Sequence, residues 1–307
     1  MPVVTVYRHG FTAGIPNMSN HPRAKRQEVK GWSPGAVRRN VQFLRSVDER
    51  QLTGEGWALT LTVRDCPPSH EDWHRAIANY LQQVRYYLKP IRMHWVTEWQ
   101  KRGVPHLHGV MWFPDEITIG NPPHSWPYNV KNMLEQLWLP YGAPFGAGPR
   151  GQLAKRLNGP VGWFQYISKH AARGVRHYQR SAENIPQGWK KTGRMWGKAG
   201  DWPLRDPVRF ETDNPAYHIL RRWCRSWRIA DARFAYADML RSITEGRQVP
   251  ASLLRSTKLR IPSARHMLRC PNPTLSRVHG ISEWISEALL LRMIEYLNTS
   301  GYPVDAA

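Results

Sequence analysis

The sequence predicts an α+β protein in which helices cover an antiparallel sheet. Three observations predict this class: a buried strand at residues 57–63 precedes an amphipathic helix, two more strands follow around a short turn, and further helix comes after them. Strands joined by so short a turn pair antiparallel. An order of strand, helix, strand, strand and helix favours one sheet with helices on its faces.

The helices are predicted from caps and from apolar periodicity. Ser33 and Pro34 fit an N-cap followed by a first-turn proline, and their helix covers residues 36–47. Ser69 and Asp72 form a weaker capping pattern, after which apolar residues recur at helical spacing to Leu88. Further helices are predicted near residues 130–138, 161–173, 216–242 and 282–298.

The strands are predicted from short aromatic and β-branched runs that are bounded by turns. The first, at 57–63, ends before Pro67, and residues 91–99 and 105–113 flank a turn. Residues 143–159 are rich in glycine and predict a loop, while residues 1–31 lack periodicity and predict an extended arm. The strand signal fades after residue 206.

These elements predict three segments in a chain of 307 residues, which is long enough for two compact units. We expect a basic N-terminal extension at 1–50, the sheet-containing domain at 51–205 and a helical C-terminal domain at 206–307. The sequence has no phosphate-binding loop of the ATPase type, which argues against an ATPase or a helicase.

The chain carries a formal net charge of +21, from 44 Lys and Arg against 23 Asp and Glu. Such an excess favours an anionic partner, and nucleic acid is the first candidate. A membrane surface is the alternative, but no apolar run approaches the ~20 residues of a spanning helix. Cys66, Cys224 and Cys270 fit neither a disulfide framework nor a zinc finger, which favours a cytoplasmic location.

A candidate metal site lies in the hairpin formed by residues 91–99 and 105–113. Gly103 falls where a three-residue hairpin loop takes a left-handed residue, and this register places Glu98 opposite His106. His106 and His108 leave the strand on the same face. One carboxylate and two imidazoles with open positions suit Mg²⁺, Mn²⁺ or Zn²⁺. The alternative is that the histidines only line a solvated sheet face.

A candidate nucleophile, Tyr166, lies in the helix predicted at 161–173. Helical spacing puts Lys169 and His170 on the same face as Tyr166. A phenol with a pKa near ~10 costs roughly 4 kcal/mol to ionise at pH 7, and a neighbouring ammonium lowers that cost. Lys169 would also neutralise charge on a reacting phosphate. The alternative is an ordinary amphipathic helix with a basic neighbour.

Three motifs in order resemble those of the HUH endonuclease superfamily. They are Ala-Leu-Thr-Leu-Thr at 58–62, Glu98 with Pro-His-Leu-His-Gly at 105–109, and Tyr-Ile-Ser-Lys-His at 166–170. Within it, the sequence is most similar to single-tyrosine rolling-circle replication initiators of filamentous bacteriophages, a similarity that extends to Gly-Arg-Met-Trp-Gly at 193–197. The resemblance covers about residues 33–203.

The resemblance implies an HUH, or ferredoxin-like, nuclease domain that nicks and rejoins single-stranded DNA at a replication origin. Glu98, His106 and His108 would hold Mg²⁺ or Mn²⁺, Tyr166 would form a 5′-phosphotyrosine, and Lys169 matches the lysine that follows the tyrosine. Many phage initiators carry a second tyrosine where this sequence has His170. The implied setting is the cytoplasm of a bacterial host, with a host helicase and polymerase as partners and no membrane partner.

Two basic and aromatic segments are candidates for contacting DNA. The first contributes Lys190, Lys191, Arg194 and Trp196, in a flexible context. The second contributes Arg221, Arg222 and Arg225 beside tryptophans that we expect in a core; His170 completes the set. A transposase or relaxase of the same superfamily, or a non-catalytic nucleic-acid-binding protein, is the alternative to an initiator.

Overall fold

A computed structural model describes residues 1–16, 30–117, 119–120, 129–172, 185–262 and 281–306, without the side chains of residues 34, 168–172 and 282. The chain forms two units: Pro22–Arg205, and Met1–His21 together with Asp206–Ala307. Both units combine an antiparallel sheet with helices, so the predicted α+β class is confirmed. No helix in the described part of the chain is long and apolar enough to cross a membrane.

The unit formed by Pro22–Arg205 is built on a five-stranded sheet with the order β6-β3-β5-β4-β7. All neighbouring strands run antiparallel. The strands are β3 (Glu55–Thr62), β4 (Arg92–Trp99), β5 (Pro105–Phe113), β6 (Leu153–Arg156) and β7 (Trp196–Gly200). The three inner strands are the three that the sequence predicts, whereas β6 lies in the predicted loop and β7 in the segment expected to be flexible.

The helices of this unit are α1 (Pro34–Ser46), α2 (His70–Leu88), α3 (Val130–Gln136), α4 (Leu139–Gly142) and α5 (Pro160–Ala172). The predicted caps are confirmed: Ser33 accepts a hydrogen bond from the Ala36 N–H, and Ser69 from the Asp72 N–H. The helix predicted at 130–138 ends at Gln136, and α4 is a separate short helix. Pro140, in the first turn of α4, is tolerated there because the first N–H groups of a helix have no intrahelical partner.

The hairpin of β4 and β5 has the predicted register, with Glu98 opposite His106 and Trp99 opposite Pro105. Gly103 lies at a φ of 76° in the left-handed region that the turn requires. The Gln100 N–H donates to the Val104 carbonyl, which closes the turn. The register predicted from the turn sequence is therefore the one observed across the hairpin.

The other unit contains a second five-stranded sheet, with the order β10-β8-β1-β2-β9. Its strands are β1 (Val3–Tyr7), β2 (Gly10–Gly14), β8 (Val208–Thr212), β9 (Ile281–Glu283) and β10 (Val304–Ala306). Its helices are α6 (Asn214–Thr244), α7 (Ala251–Lys258) and α8 (Glu287–Thr299). Val4, Phe11, Leu220, Leu290 and Leu297 form part of one buried core in this unit.

Two expectations about this unit are wrong. Residues 3–14 form a hairpin rather than an extended arm, and strands occur after residue 206, with Ser282 in β9 rather than in a helix. The strands after residue 206 have only three to five residues, too few to show alternation. The segment 1–50, which was expected to form one extension, is divided between the two units, because α1 lies in Pro22–Arg205.

Candidate functional site

The hairpin brings the three predicted metal ligands together. The Nε2 atoms of His106 and His108 are 2.8 Å apart, and His108 Nε2 is 3.8 Å from a carboxylate oxygen of Glu98. One ligand atom from each residue lies within 4.8 Å of the other two. Metal–ligand bonds of about 2.0–2.2 Å bring two ligands of one ion to a similar spacing. The three side chains therefore have the arrangement of a metal site.

The three ligand side chains are buried: Glu98 is 0% exposed, His106 7% and His108 5%. Burying a carboxylate is unfavourable unless positive charge or hydrogen bonds compensate it. A divalent ion between the three groups would supply that compensation. Mixed nitrogen and oxygen ligands suit Mg²⁺, Mn²⁺ or Zn²⁺ rather than a closed thiolate site, so the residues fit the predicted cofactor.

Thr60 contacts the metal-ligand set, and sequence reasoning did not single it out. Its hydroxyl is 3.0 Å from His108 Nδ1, and β3 and β5 pair Thr60 directly with His108. Metal-binding histidines commonly donate their second ring N–H to an oxygen, which fixes the tautomer. With Nδ1 protonated toward Thr60, Nε2 would carry no proton and could bind an ion held by the three groups. Thr60 belongs to the Leu-Thr-Leu-Thr motif at 59–62, which could have identified it from the sequence.

Tyr166 lies beside the ligands. Its ring centroid is 5.9 Å from that of His108, with the two rings nearly perpendicular, and 5.8 Å from the ring of Trp163 in the same helix. The side chain is 43% exposed, so a substrate can reach it. Lys169 and His170 lie in α5 one turn later, and their side chains are outside the described residues.

Another buried histidine, His94, lies on the same sheet face, four residues before Glu98. Its Nε2 is 2.7 Å from the Asn40 side-chain oxygen, and its ring stacks on Phe43 of α1. Burial, followed by the charge of Lys198, lowers the pKa of His94 to about 3. This histidine is therefore neutral at physiological pH and joins α1 to the sheet.

Comparison with known proteins identifies the family. A sequence profile of the replication-associated protein ORF2/G2P family matches residues 56–171, which include Glu98, both histidines and Tyr166. The chain is 42% identical to the replication-associated protein G2P of Pseudomonas phage Pf3, over 96% of this chain and 97% of that protein. The chain belongs to the replication-associated protein ORF2/G2P family.

Two other relatives of this ORF2/G2P chain come from Xylella fastidiosa, and both carry provisional replication-protein names. The one from strain 9a5c is 46% identical over the full length of both chains. The one from strain Temecula1 is 45% identical over 92% of this chain and 99% of its own. No solved structure matches the chain significantly. The predicted similarity to replication initiators of filamentous phages is confirmed.

The basic residues predicted to contact DNA have different environments in this ORF2/G2P chain. Lys190, Arg194 and Arg222 are exposed, Lys191 and Arg225 are half-buried, and Arg221 is buried. Lys191 approaches Glu71 at 3.9 Å, and Arg221 lies over the ring of Tyr217 at 5.6 Å.

Trp196 begins β7 opposite Val96, and its ring stacks against Phe43. It is therefore part of the sheet rather than of a flexible loop. The structure thus brings the predicted metal ligands and Tyr166 together, whereas Arg221, Arg222 and Arg225 belong to the other unit.

Proposed function

We propose that the chain is a metal-dependent endonuclease that nicks and rejoins single-stranded DNA at a replication origin, through a phosphotyrosine at Tyr166, and so starts rolling-circle replication. The observation that carries the proposal is the convergence of Glu98, His106 and His108 beside an accessible tyrosine. The family match supports a role in replication.

Glu98, His106 and His108 would hold Mg²⁺ or Mn²⁺, which supplies Lewis acidity for a phosphodiester when bound. The chain's own residues set the geometry. The hairpin register holds the carboxylate opposite His106, and Thr60 orients the ring of His108. A phosphate bound at these groups would lie near Tyr166, whose ring centroid is 5.9 Å from that of His108.

In the proposed reaction, the Tyr166 oxygen attacks phosphorus and the bond from phosphorus to the 3′ oxygen breaks. The phenolic proton leaves to solvent and the 3′ oxygen takes up a proton, so that charge is conserved. Because one phosphodiester replaces another, a 3′ hydroxyl can reverse the step and rejoin the strands. Lys169, carried over from the resemblance, would favour the phenolate and neutralise charge on phosphorus.

The proposed substrate is a single strand or hairpin at the origin, within the cytoplasm of a bacterial host. A host helicase and polymerase would open the duplex and extend the free 3′ hydroxyl. His170, Lys190, Lys191, Arg194, Trp196, Arg221, Arg222 and Arg225 are the proposed DNA contacts outside the metal site. The burial of Arg221 makes it the weakest member of this set.

A transposase or relaxase would use the same chemistry on an element end or a transfer origin. The match to replication-associated proteins along nearly the whole chain favours the initiator. A non-catalytic DNA-binding protein would leave unexplained why a carboxylate and two imidazoles are buried side by side.

Circular single-stranded DNA of the cognate replicon, incubated with protein and Mn²⁺, tests the proposal. We expect nicking and a denaturation-resistant protein–DNA adduct attached at the DNA 5′ end. Tyr166→Phe should abolish the adduct without weakening DNA binding. Tyr86→Phe, which changes an exposed tyrosine of α2, should retain both. Uncut DNA with wild-type protein, or an adduct that survives Tyr166→Phe, would overturn the proposal.

A further inference from the structure

A groove of about 520 Å³ opens at the end of β3. Thr62, at the end of β3, lines one side, and the loop of residues 146–151 lines the other. Thr62 pairs directly with His106 in the sheet. The groove therefore begins next to the ligand set and extends from it toward the turn of the hairpin, where Arg102 also lines it.

Hydrogen bonds fix the two sides of the groove to each other. The Gln152 amide accepts from the Thr62 N–H at 2.8 Å and donates to the Thr62 carbonyl at 3.1 Å. The Thr62 hydroxyl donates to the Gly151 carbonyl, and the Arg64 and Asp65 N–H groups donate to the Phe145 carbonyl. The loop is thus held in place, so a ligand would not have to order it.

The groove has a basic lining. Of the described residues that line it, Arg64, Arg102 and Arg150 are arginines and none is acidic. Arg102 is held by the Val63 carbonyl at 2.8 Å and by the Gln100 side chain at 3.1 Å. Arg64 contacts Asp65 at 3.0 Å, and a Cβ added at Gly146, which lines the groove, would lie 2.7 Å from the same carboxylate. A Cβ added at Gly148 would meet nothing within 4 Å, so the groove is open at its glycine-rich side.

We propose that this groove binds the phosphodiester backbone of the DNA strand on the 5′ side of the nick. The proposal rests on the proposed function. Guanidinium groups around an open channel of fixed shape suit the phosphates of an unpaired strand. Gly148, whose Cβ position is open, lets the strand approach the loop backbone closely. Specificity for base sequence is not required, because backbone contacts position a strand without reading it.

The side of the nick follows from the positions of Tyr166 and the groove. In phosphoryl transfer the attacking and leaving oxygens lie roughly in line, on opposite sides of phosphorus. Tyr166 lies against His108, whereas the groove begins beside His106. The strand that ends in the leaving 3′ oxygen therefore extends away from Tyr166 and into the groove.

Binding of labelled oligothymidylate to the full chain, without metal and in the Tyr166→Phe background, tests the groove independently of nicking. Each lost phosphate contact on a single strand should reduce the magnitude of the slope of log affinity against log salt concentration by about 0.7. Arg64→Ala with Arg150→Ala should therefore reduce it by about 1.4, twice that value. Arg85→Ala, which removes one positive charge from α2, should leave it unchanged.

Gly148 offers a second variant that keeps the arginines. Gly148→Glu should weaken binding because it places a negative charge in the groove, while Gly148→Ala should bind as the parent protein does. Equal salt slopes for the arginine variants and Arg85→Ala would overturn the groove as a DNA site. Nicking by the wild-type protein would then show that the proposed function stands without it.

Oligonucleotides that contain the mapped nick site test which side of the nick the groove binds. We expect the arginine variants to lose affinity for oligonucleotides extended only on the 5′ side of the nick and to keep it for those extended only on the 3′ side. The reverse pattern would overturn the assignment of the strand while leaving a DNA-binding groove.

Discussion

At the end nearest the β4–β5 turn, the two faces of the sheet β6-β3-β5-β4-β7 differ in chemistry although the same strands form both. On one face Leu61, Thr97 and Leu107 are aligned across β3, β4 and β5 and buried. Trp73 of α2 donates its indole N–H to the Thr97 hydroxyl at 3.2 Å, so α2 covers this face. On the other face, which carries Thr60, Glu98 and His108, His94 contacts Asn40 of α1 and His108 contacts Tyr166 of α5.

This difference shows that β-strand alternation can separate stability from chemistry within a single strand. Leu107 and His108 are adjacent, and both are buried, but their side chains leave on opposite faces. The apolar face gains from removal from water. Burial of the polar groups on the other face is favourable only when they interact with one another, because each buried polar group requires a partner.

The largest effects should come from substituting these two neighbours. Leu107→Ala should lower the free energy of unfolding by about 2–5 kcal/mol, the range for truncating a buried leucine, and leave nicking by the folded protein intact. His108→Gln should retain the fold and remove a proposed metal ligand. His108→Gln should lower Mn²⁺ affinity and nicking by more than ~100-fold, which is the upper end of the range for losing a residue that only hydrogen-bonds to a metal ligand.

Urea unfolding and Mn²⁺ titration calorimetry measure the two quantities separately. If Leu107→Ala lowered Mn²⁺ affinity as strongly as His108→Gln, the two faces of the sheet would not act independently.

A smaller effect is expected from Thr60→Val, which removes the hydroxyl but keeps the β-branched shape. Loss of the contact with His108 Nδ1 should weaken Mn²⁺ binding by about 10–100-fold, while Thr60→Ser should restore most of it. Nitrogen NMR of the His108 ring should show a mixed tautomer in Thr60→Val. Thr62→Val is the matched control, because its hydroxyl bonds the Gly151 carbonyl instead; equal losses in both valine variants would refute the role of Thr60.

The pH dependence of stability should distinguish His94 from the apolar face. Its pKa is about 3 in the folded chain against 6.5 ordinarily, so the unfolded state binds more protons between these values. The stabilisation is complete above the ordinary pKa and is lost as the pH falls toward 3. From pH 7 to pH 5 the loss should be about 2 kcal/mol.

His94→Gln, which can still donate a hydrogen bond to Asn40, should remove that part of the pH dependence. Urea unfolding of both proteins at the two pH values provides the measurement. Parallel changes in the two proteins would show that His94 does not titrate as its burial implies.

The convergence of Glu98, His106 and His108 could be predicted from the sequence because its geometry is local. A turn that ends at Gly103 fixes the pairing of Glu98 with His106, and alternation adds His108. The caps at Ser33 and Ser69 were predictable for the same reason. In each case the interacting residues lie within one hairpin or one helical turn.

The missed features depend on pairings between distant segments. β1 pairs with β8, some 200 residues later in the sequence, and the short edge strands β6 and β7 take their conformation from the strands beside them. The contact of Thr60 with His108 likewise requires the register of β3 against β5. Periodicity within three to five residues cannot show such pairings.

The smallest predicted effect concerns the turn on which the polar face depends. Gly103→Ala places a Cβ at a φ of 76° and should cost about 1–2 kcal/mol, whereas Gly103→Asn should cost less, because Asn tolerates this region. Gly148→Ala is the control: at a φ of −125° with open space around it, it should stabilise by about 0.4–1 kcal/mol. Mn²⁺ affinity should fall only in Gly103→Ala, because a shifted turn moves Glu98 relative to His106 while the alternation that buries Leu107 persists. Unchanged Mn²⁺ affinity in a destabilised Gly103→Ala protein would mean that the strands, and not the turn, hold the ligands in register.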